Sequence, residues 1–135
     1  MRAAGRVALS ALVIGLASCG GGDDDGQDAG GLAREASAVI EQLERSIAQG
    51  EFERICSELF SAEVRRQAGG GDCPAMLERT SAGVERPRIE VKEIKIEGAT
   101  AAVDVVTVAE GQARVEDTIR LVREAGAYRI SSLSG

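Results

Sequence analysis

The hydrophobic periodicity of this chain changes once, and that change limits the folds open to it. Between residues 32 and 83, apolar residues recur every three or four positions, which is the spacing of one face of an α-helix. From residue 89 onward they alternate with polar residues, which is the spacing of a β-strand with one buried face. Helices followed by strands, without alternation between the two, predict a single α+β domain over residues 32–135.

Three helices are predicted in the first block. The first ends at Gly50, and its apolar stripe consists of Leu32, Ala36, Val39, Ile40, Leu43 and Ile47. The second begins near Glu51, and Ser61 is suited to cap a further turn after it. The apolar face of this second helix consists of Phe52, Ile55, Cys56 and Leu59. The third begins after Asp72, its expected N-cap, and ends near Gly83. Its expected buried side consists of Met76, Leu77 and Thr80.

Four strands are predicted in the second block, and the short turns between them make neighbouring strands antiparallel. They cover about residues 89–96, 99–108, 114–121 and 127–133. The apolar phase of the first strand switches at Glu93, which predicts a β-bulge and a bend. The sequence thus predicts three helices packed on a bent, four-stranded antiparallel sheet.

The N-terminus resembles that of a bacterial lipoprotein precursor. Arg2 and Arg6 precede an uncharged run, 7–17, which is too short to span a bilayer and fits a signal peptide over residues 1–18. The run leads into Leu16-Ala17-Ser18-Cys19, which resembles the lipobox of that family. The resemblance implies cleavage before this cysteine and a diacylglyceryl group on its thiol; two acyl chains give stable membrane attachment. An ordinary secretory peptide, with Cys19 as a free thiol, is the alternative.

Residues 19–31 are rich in glycine and aspartate, which predicts a flexible tether between the lipidated Cys19 and the domain. Loss of residues 1–18, which contain two arginines and no acidic residue, changes the formal charge from −6 to −8. Nucleic acids select basic protein faces, so this acidic chain is not expected to bind them. We expect a lipid-anchored protein on the extracytoplasmic face of a membrane, in the cell envelope.

Cys56 and Cys73 remain in the mature chain once Cys19 is lipidated. Exported proteins meet an oxidising environment, where these two cysteines are expected to form a structural disulfide. A redox pair or a metal site is the alternative, but the sequence has neither C-x-x-C spacing nor histidine. We therefore expect neither a metal site nor a cofactor.

The order of the predicted elements resembles the nuclear transport factor 2-like (NTF2-like) superfamily, in which helices and a bent sheet form a cone. The segment Gln-Gly-Glu-Phe-Glu-Arg-Ile-Cys-Ser-Glu-Leu-Phe, residues 49–60, also resembles the helix-break-helix opening of small lipoproteins with this fold. The alternative is the cystatin-like arrangement, in which a sheet wraps a single helix. A fold alone implies no particular activity.

The NTF2-like resemblance implies a pocket inside the cone, which enzymes of this fold line with Asp, Tyr or His. The candidates here are Asp117, Tyr128 and Asp104. Asp117 is in phase with the apolar side of its strand, where it could act as a general base while Tyr128 donates to a developing oxyanion. This arrangement predicts an isomerase or dehydratase as the alternative function.

We expect a non-catalytic binding module instead, because the sequence contains no histidine, phosphate-binding loop or nucleophile elbow. Besides the membrane, reached through the lipid on Cys19, its expected partner is an envelope protein or a small apolar ligand. The sheet is the expected interface of any homodimer.

Overall fold

The computed structural model describes residues 24–133; the predicted signal peptide and Cys19 lie outside this range. Its helices are α1 (Asp24–Gln49), α2 (Phe52–Arg54), α3 (Ala62–Gln67) and α4 (Cys73–Thr80). Its strands are β1 (Arg88–Glu97), β2 (Thr100–Val108), β3 (Val115–Glu124) and β4 (Ala127–Ser132). A π-helical turn, Ile55–Leu59, follows α2, and a 3₁₀ turn, Gly70–Asp72, precedes α4. The predicted α+β class is confirmed.

The four strands form one antiparallel meander in the order β1-β2-β3-β4, so β1 and β4 are its edges. The register of β1 on β2 shifts between Val91 and Glu93, which confirms the predicted bulge. Lys92 is the inserted residue, because Val91 pairs with Val105 and Glu93 pairs with Asp104. The insertion keeps the apolar residues on one side of the strand, where all four pack against the core: Ile89, Val91, Ile94 and Ile96.

The core lies between the sheet and the helices. Its largest fully buried aliphatic side chains come from α1, the π-turn and three strands, and they are Ile40, Ile55, Val103, Leu121 and Ile130. Every buried residue of this cluster lies between Ala36 and Ile130. Among the described residues, the buried core thus extends from the second turn of the packed part of α1 to the last strand.

A disulfide joins Cys56, in the π-turn, to Cys73 at the start of α4, as predicted; their Cα atoms are 6.1 Å apart. Both cysteines are buried. The bridge closes a segment that includes Gly69, whose φ of 104° is accessible at little cost only to glycine. The disulfide thus fixes α4 to the rest of the helical layer.

Helix α1 begins at Asp24, eight residues before the predicted start of the domain. Residues 24–31, predicted as part of a flexible tether, are therefore helical, and only residues 19–23 of that segment lie outside the described range. Extending an existing helix fixes one residue per hydrogen bond, whereas nucleation fixes three. A helix anchored by packing from Leu32 onward can therefore continue into a segment of weak helix propensity.

Of the two predicted helix caps, the structure confirms the hydrogen bond of one, and the predicted buried face of the third helix is wrong at two positions. Ser61 caps α3 as predicted, since its Oγ accepts a hydrogen bond from the Val64 amide at 3.2 Å. Asp72 occupies the N-cap position of α4 but makes no side-chain cap hydrogen bond, because it belongs to the preceding 3₁₀ turn. Met76 and Thr80 are exposed rather than buried, since α4 packs mainly on α2 and the adjacent turns.

Candidate functional site

A cleft of about 550 Å³ lies between α1, the π-turn and the hairpin that joins β3 to β4. We call it the α1–β4 cleft. The residues that border it include Val39, Gln42, Glu58, Leu59, Ala127 and Tyr128. Its volume is in the range of sites that bind small molecules.

The π-turn forms one wall of this cleft. The Phe60 amide donates to the Ile55 carbonyl at 2.9 Å, a bond across five residues where an α-helix would span four. The wider turn places Glu58 and Leu59 against the cleft. Single π-helical turns are rare and occur frequently at functional sites.

Arg123 joins the hairpin to α1 beside the cleft. Its guanidinium donates to Glu35 Oε2 at 2.7 Å and to the Gly126 carbonyl at 2.8 Å. It also lies 5.0 Å from the centroid of the Tyr128 ring, in cation–π range. The hydrogen bond from Arg123 to Glu35 raises the pKa of the guanidinium above its ordinary value, so its charge is permanent.

Tyr128 is 3% exposed, and its hydroxyl has no hydrogen-bond partner among the described residues. A buried donor without a partner lowers stability by about 1–3 kcal/mol. The ring itself packs in the core and under Arg123. On this geometry the hydroxyl, unlike the ring, makes no hydrogen bond that would offset the cost of its burial.

We expect Tyr128→Phe to raise the free energy of unfolding by about 1 kcal/mol, because it removes the unpaired hydroxyl and keeps the ring. Urea denaturation followed by circular dichroism measures the change. Tyr128→Leu is the matched control and should lower stability, since it removes the ring as well. A loss of stability in Tyr128→Phe would mean that the hydroxyl is bonded in solution.

A second cavity, which we call the strand hollow, has a volume of about 450 Å³ and includes Lys92, Asp104, Val106, Glu116, Asp117 and Thr118 in its lining. Thr118 holds both aspartates: its Oγ1 donates to Asp104 Oδ1, and its amide donates to Asp117 Oδ1, each at 2.7 Å. Among the side chains of residues 29–133, no cluster of three or more acidic or cysteine groups could hold a metal ion.

No known protein family and no curated protein matches the sequence. Solved structures match the fold. An NTF2-like protein of unknown function from Silicibacter pomeroyi aligns with a TM-score of 0.56 at 15% identity, over 76% of this chain and 92% of its own. A Campylobacter jejuni protein named as an NTF2-like transpeptidase aligns with a TM-score of 0.51 at 10% identity, over 70% of this chain and 95% of its own. This chain has an NTF2-like fold.

These structural alignments support the predicted NTF2-like fold, and at such low sequence identity they leave activity open. The helices of this NTF2-like domain are amphipathic or short. Over residues 24–133, none is both long enough and apolar enough to cross a bilayer.

The NTF2-like domain does not bring Asp117 and Tyr128 together. Tyr128 pairs with Arg123 on β3, and Asp117 precedes Arg123 by six residues, which is about 20 Å along a strand. Asp117 and Asp104 border the strand hollow, whereas Tyr128 borders the α1–β4 cleft. The structure therefore places the expected base and the expected oxyanion donor at separate cavities.

Proposed function

We propose that the mature chain is a lipid-anchored, non-catalytic module that binds a small, mainly apolar ligand in the α1–β4 cleft, outside the membrane. The observation that carries the binding role is the cleft itself. It is a preformed concavity of about 550 Å³ between two elements that the Arg123–Glu35 bond holds together.

The apolar lining supports the ligand class. Val39 of α1, Leu59 of the π-turn and Ala127 of β4 face the same space. Four polar or charged side chains share the lining, namely Glu35, Gln42, Glu58 and Arg129. Apolar walls with a few polar groups are typical of small-molecule sites, where the polar groups orient the ligand.

The distribution of candidate catalytic groups supports binding over chemistry. A general base must come within hydrogen-bond reach of the proton it removes. Asp117 borders the other cavity, the Tyr128 hydroxyl is buried in the protein, and Glu35 is bonded to Arg123. These three groups are thus unsuited to a shared reaction in the cleft.

Two features support an anchored location outside the cytoplasm. Leu16-Ala17-Ser18-Cys19 follows a signal-like run, at the position where a lipobox occurs. The Cys56–Cys73 disulfide suits an oxidising compartment.

The binding role is tested by filling the cleft. Ala127 is exposed at the cleft, so Ala127→Trp adds a large ring there without disturbing the core. We expect it to weaken the binding of the apolar dye 1-anilinonaphthalene-8-sulfonate to residues 20–135 by about tenfold or more, because the ring occupies apolar space that the dye would fill. Fluorescence titration measures the dissociation constant.

Ala113→Trp is the matched control, since Ala113 is also exposed and borders neither cavity. It should bind the dye as the parent does. Equal dye affinity in the parent and Ala127→Trp, with thermal unfolding unchanged, would remove the cleft as the binding site.

A further inference from the structure

Strand β1 is an edge of the sheet, and half of its backbone groups point away from β2. The Ile89 amide is one of the groups that point away from β2, because it donates to Glu44 Oε2 at 2.6 Å. Backbone groups alternate along an antiparallel strand, so those of Val91 also point outward. The bulge shifts this alternation by one residue, so after it the backbone groups of Ile94 and Ile96 point away from β2. Among the described residues, Glu44 provides the one hydrogen bond to this edge.

The sequence of β1 is complementary to itself when it is reversed. It reads Arg-Ile-Glu-Val-Lys-Glu-Ile-Lys-Ile-Glu from Arg88 to Glu97. Antiparallel pairing of two copies about the centre of this segment places Arg88 opposite Glu97, Glu90 opposite Lys95, and Lys92 opposite Glu93. It also places Ile89 opposite Ile96 and Val91 opposite Ile94. Every charge then meets the opposite charge, and every apolar residue meets an apolar one.

We propose that two copies of this chain associate edge to edge through β1, antiparallel, about a two-fold axis between Lys92 and Glu93. The two four-stranded sheets thereby become one sheet of eight strands. A symmetric interface of this kind repeats each contact twice, so three charge pairs in the sequence become six in the dimer. This proposal does not depend on the lipid anchor or on the cleft.

The bulge makes this register possible. Residues opposite each other in an antiparallel pair lie on the same face of the sheet. In a regular strand, adjacent residues such as Lys92 and Glu93 lie on opposite faces and could not meet across the axis. Because Lys92 is the inserted residue, both side chains are exposed on the outer face, away from the core. The outward backbone groups of Val91 and Ile94 then also face each other.

Neighbouring registers are disfavoured by the same residues. A shift of two residues in one direction places Glu90 opposite Glu93, and a shift in the other direction places Glu90 opposite Glu97. Like charges directly opposite each other destabilise a strand pair. The pattern therefore selects one register, which is what a specific interface requires.

Association would also complete the burial of the apolar edge. The four apolar side chains of β1 are only half-buried in the single copy; they are Ile89, Val91, Ile94 and Ile96. The β1 strand of a second copy would cover the part of these side chains that is exposed at the sheet edge. The Glu44 carboxylate then releases the Ile89 amide, which donates to the Ile96 carbonyl of the second copy instead.

The test uses two charge-reversal variants, each of which should associate poorly with itself but well with the other. Glu90→Lys places a lysine opposite Lys95, and Lys95→Glu places a glutamate opposite Glu90, so each variant repels itself twice. We expect each reversal to weaken self-association of residues 20–135 by about ten- to thirtyfold. In an equimolar mixture the two variants should form a heterodimer, because one of them carries both lysines and the other both glutamates. Sedimentation velocity gives the dissociation constants, and native mass spectrometry identifies the heterodimer by its mass.

The matched controls are Glu78→Lys and Arg79→Glu, which change exposed charges on α4. These should dimerise as the parent does and gain nothing from mixing. The amides of Val91 and Ile94 should exchange hydrogen more slowly as the parent concentration rises. A parent that stays monomeric from micromolar to near-millimolar concentration would overturn the proposal. So would a parent dimer that both reversals leave intact.

Discussion

A Cys19→Ala chain should incorporate no diacylglycerol, and labelling with a radioactive fatty acid should fall from its full value to background. The reason is that the thiol of this residue is the acceptor that the lipobox resemblance implies. Without two acyl chains the mature domain has no stable attachment, because a single chain anchors a protein only marginally. A domain without any acyl chain would have only its acidic surface, which anionic lipids do not attract. Intact-mass spectrometry of the parent, isolated from its membrane, should give a chain that begins at Cys19 and carries diacylglyceryl mass.

Ser18→Ala is the matched control, because it changes the neighbouring residue and keeps both a small side chain and the thiol. It should be labelled as fully as the parent. A parent chain that retains residues 1–18, or fatty-acid label that persists in Cys19→Ala, would contradict the anchoring part of the proposed function. The cleft and the β1 edge would be unaffected by that result.

Replacing both Cys56 and Cys73 by alanine should lower the free energy of unfolding by about 3 kcal/mol, on the chain-entropy account of a bridge that closes this loop. A small domain is stable by only about 5–15 kcal/mol, so the loss is a large fraction of the total. Alanine is preferred to serine because both sites are buried, and a hydroxyl there would need a partner. Urea denaturation measures the change.

Reduction of the parent with dithiothreitol provides the control for the disulfide. It should lower stability by a similar amount, and it should have no effect on the double alanine variant. A difference of less than about 1 kcal/mol between parent and variant would show that the bridge does not restrict the unfolded chain as the entropy model requires.

Local features of the fold could be predicted because their signals lie within a few residues of one another. The phase switch at Glu93 indicated the bulge, since one extra residue changes which positions are apolar. Ser61 was predicted as a cap because serine before a short helical turn accepts a hydrogen bond from the backbone. The disulfide followed from compartment and cysteine count.

Other features depend on distances that a sequence does not contain. Strand phase placed Asp117 on the apolar side, but phase gives no position along the sheet, so its separation from Tyr128 was not predictable. Glu35 and Arg123, which close one side of the cleft, are too far apart in sequence for any pattern to connect them. The apolar spacing of residues 52–59 suits an α-helix as well as the π-turn that forms.

The early start of α1 has a consequence for geometry at the membrane. Four residues, 20–23, separate Cys19 from the helix, so five Cα–Cα steps join Cys19 to Asp24 and span at most about 18 Å. Glu35, at the near end of the cleft, is eleven residues into α1, which is about 17 Å along the helix axis. For a chain held by Cys19, about half of the greatest distance between the cleft and the lipid is therefore contributed by a stiff helix. In a lipid-anchored chain, the tether and this part of the helix would together keep Glu35 within about 35 Å of the lipid.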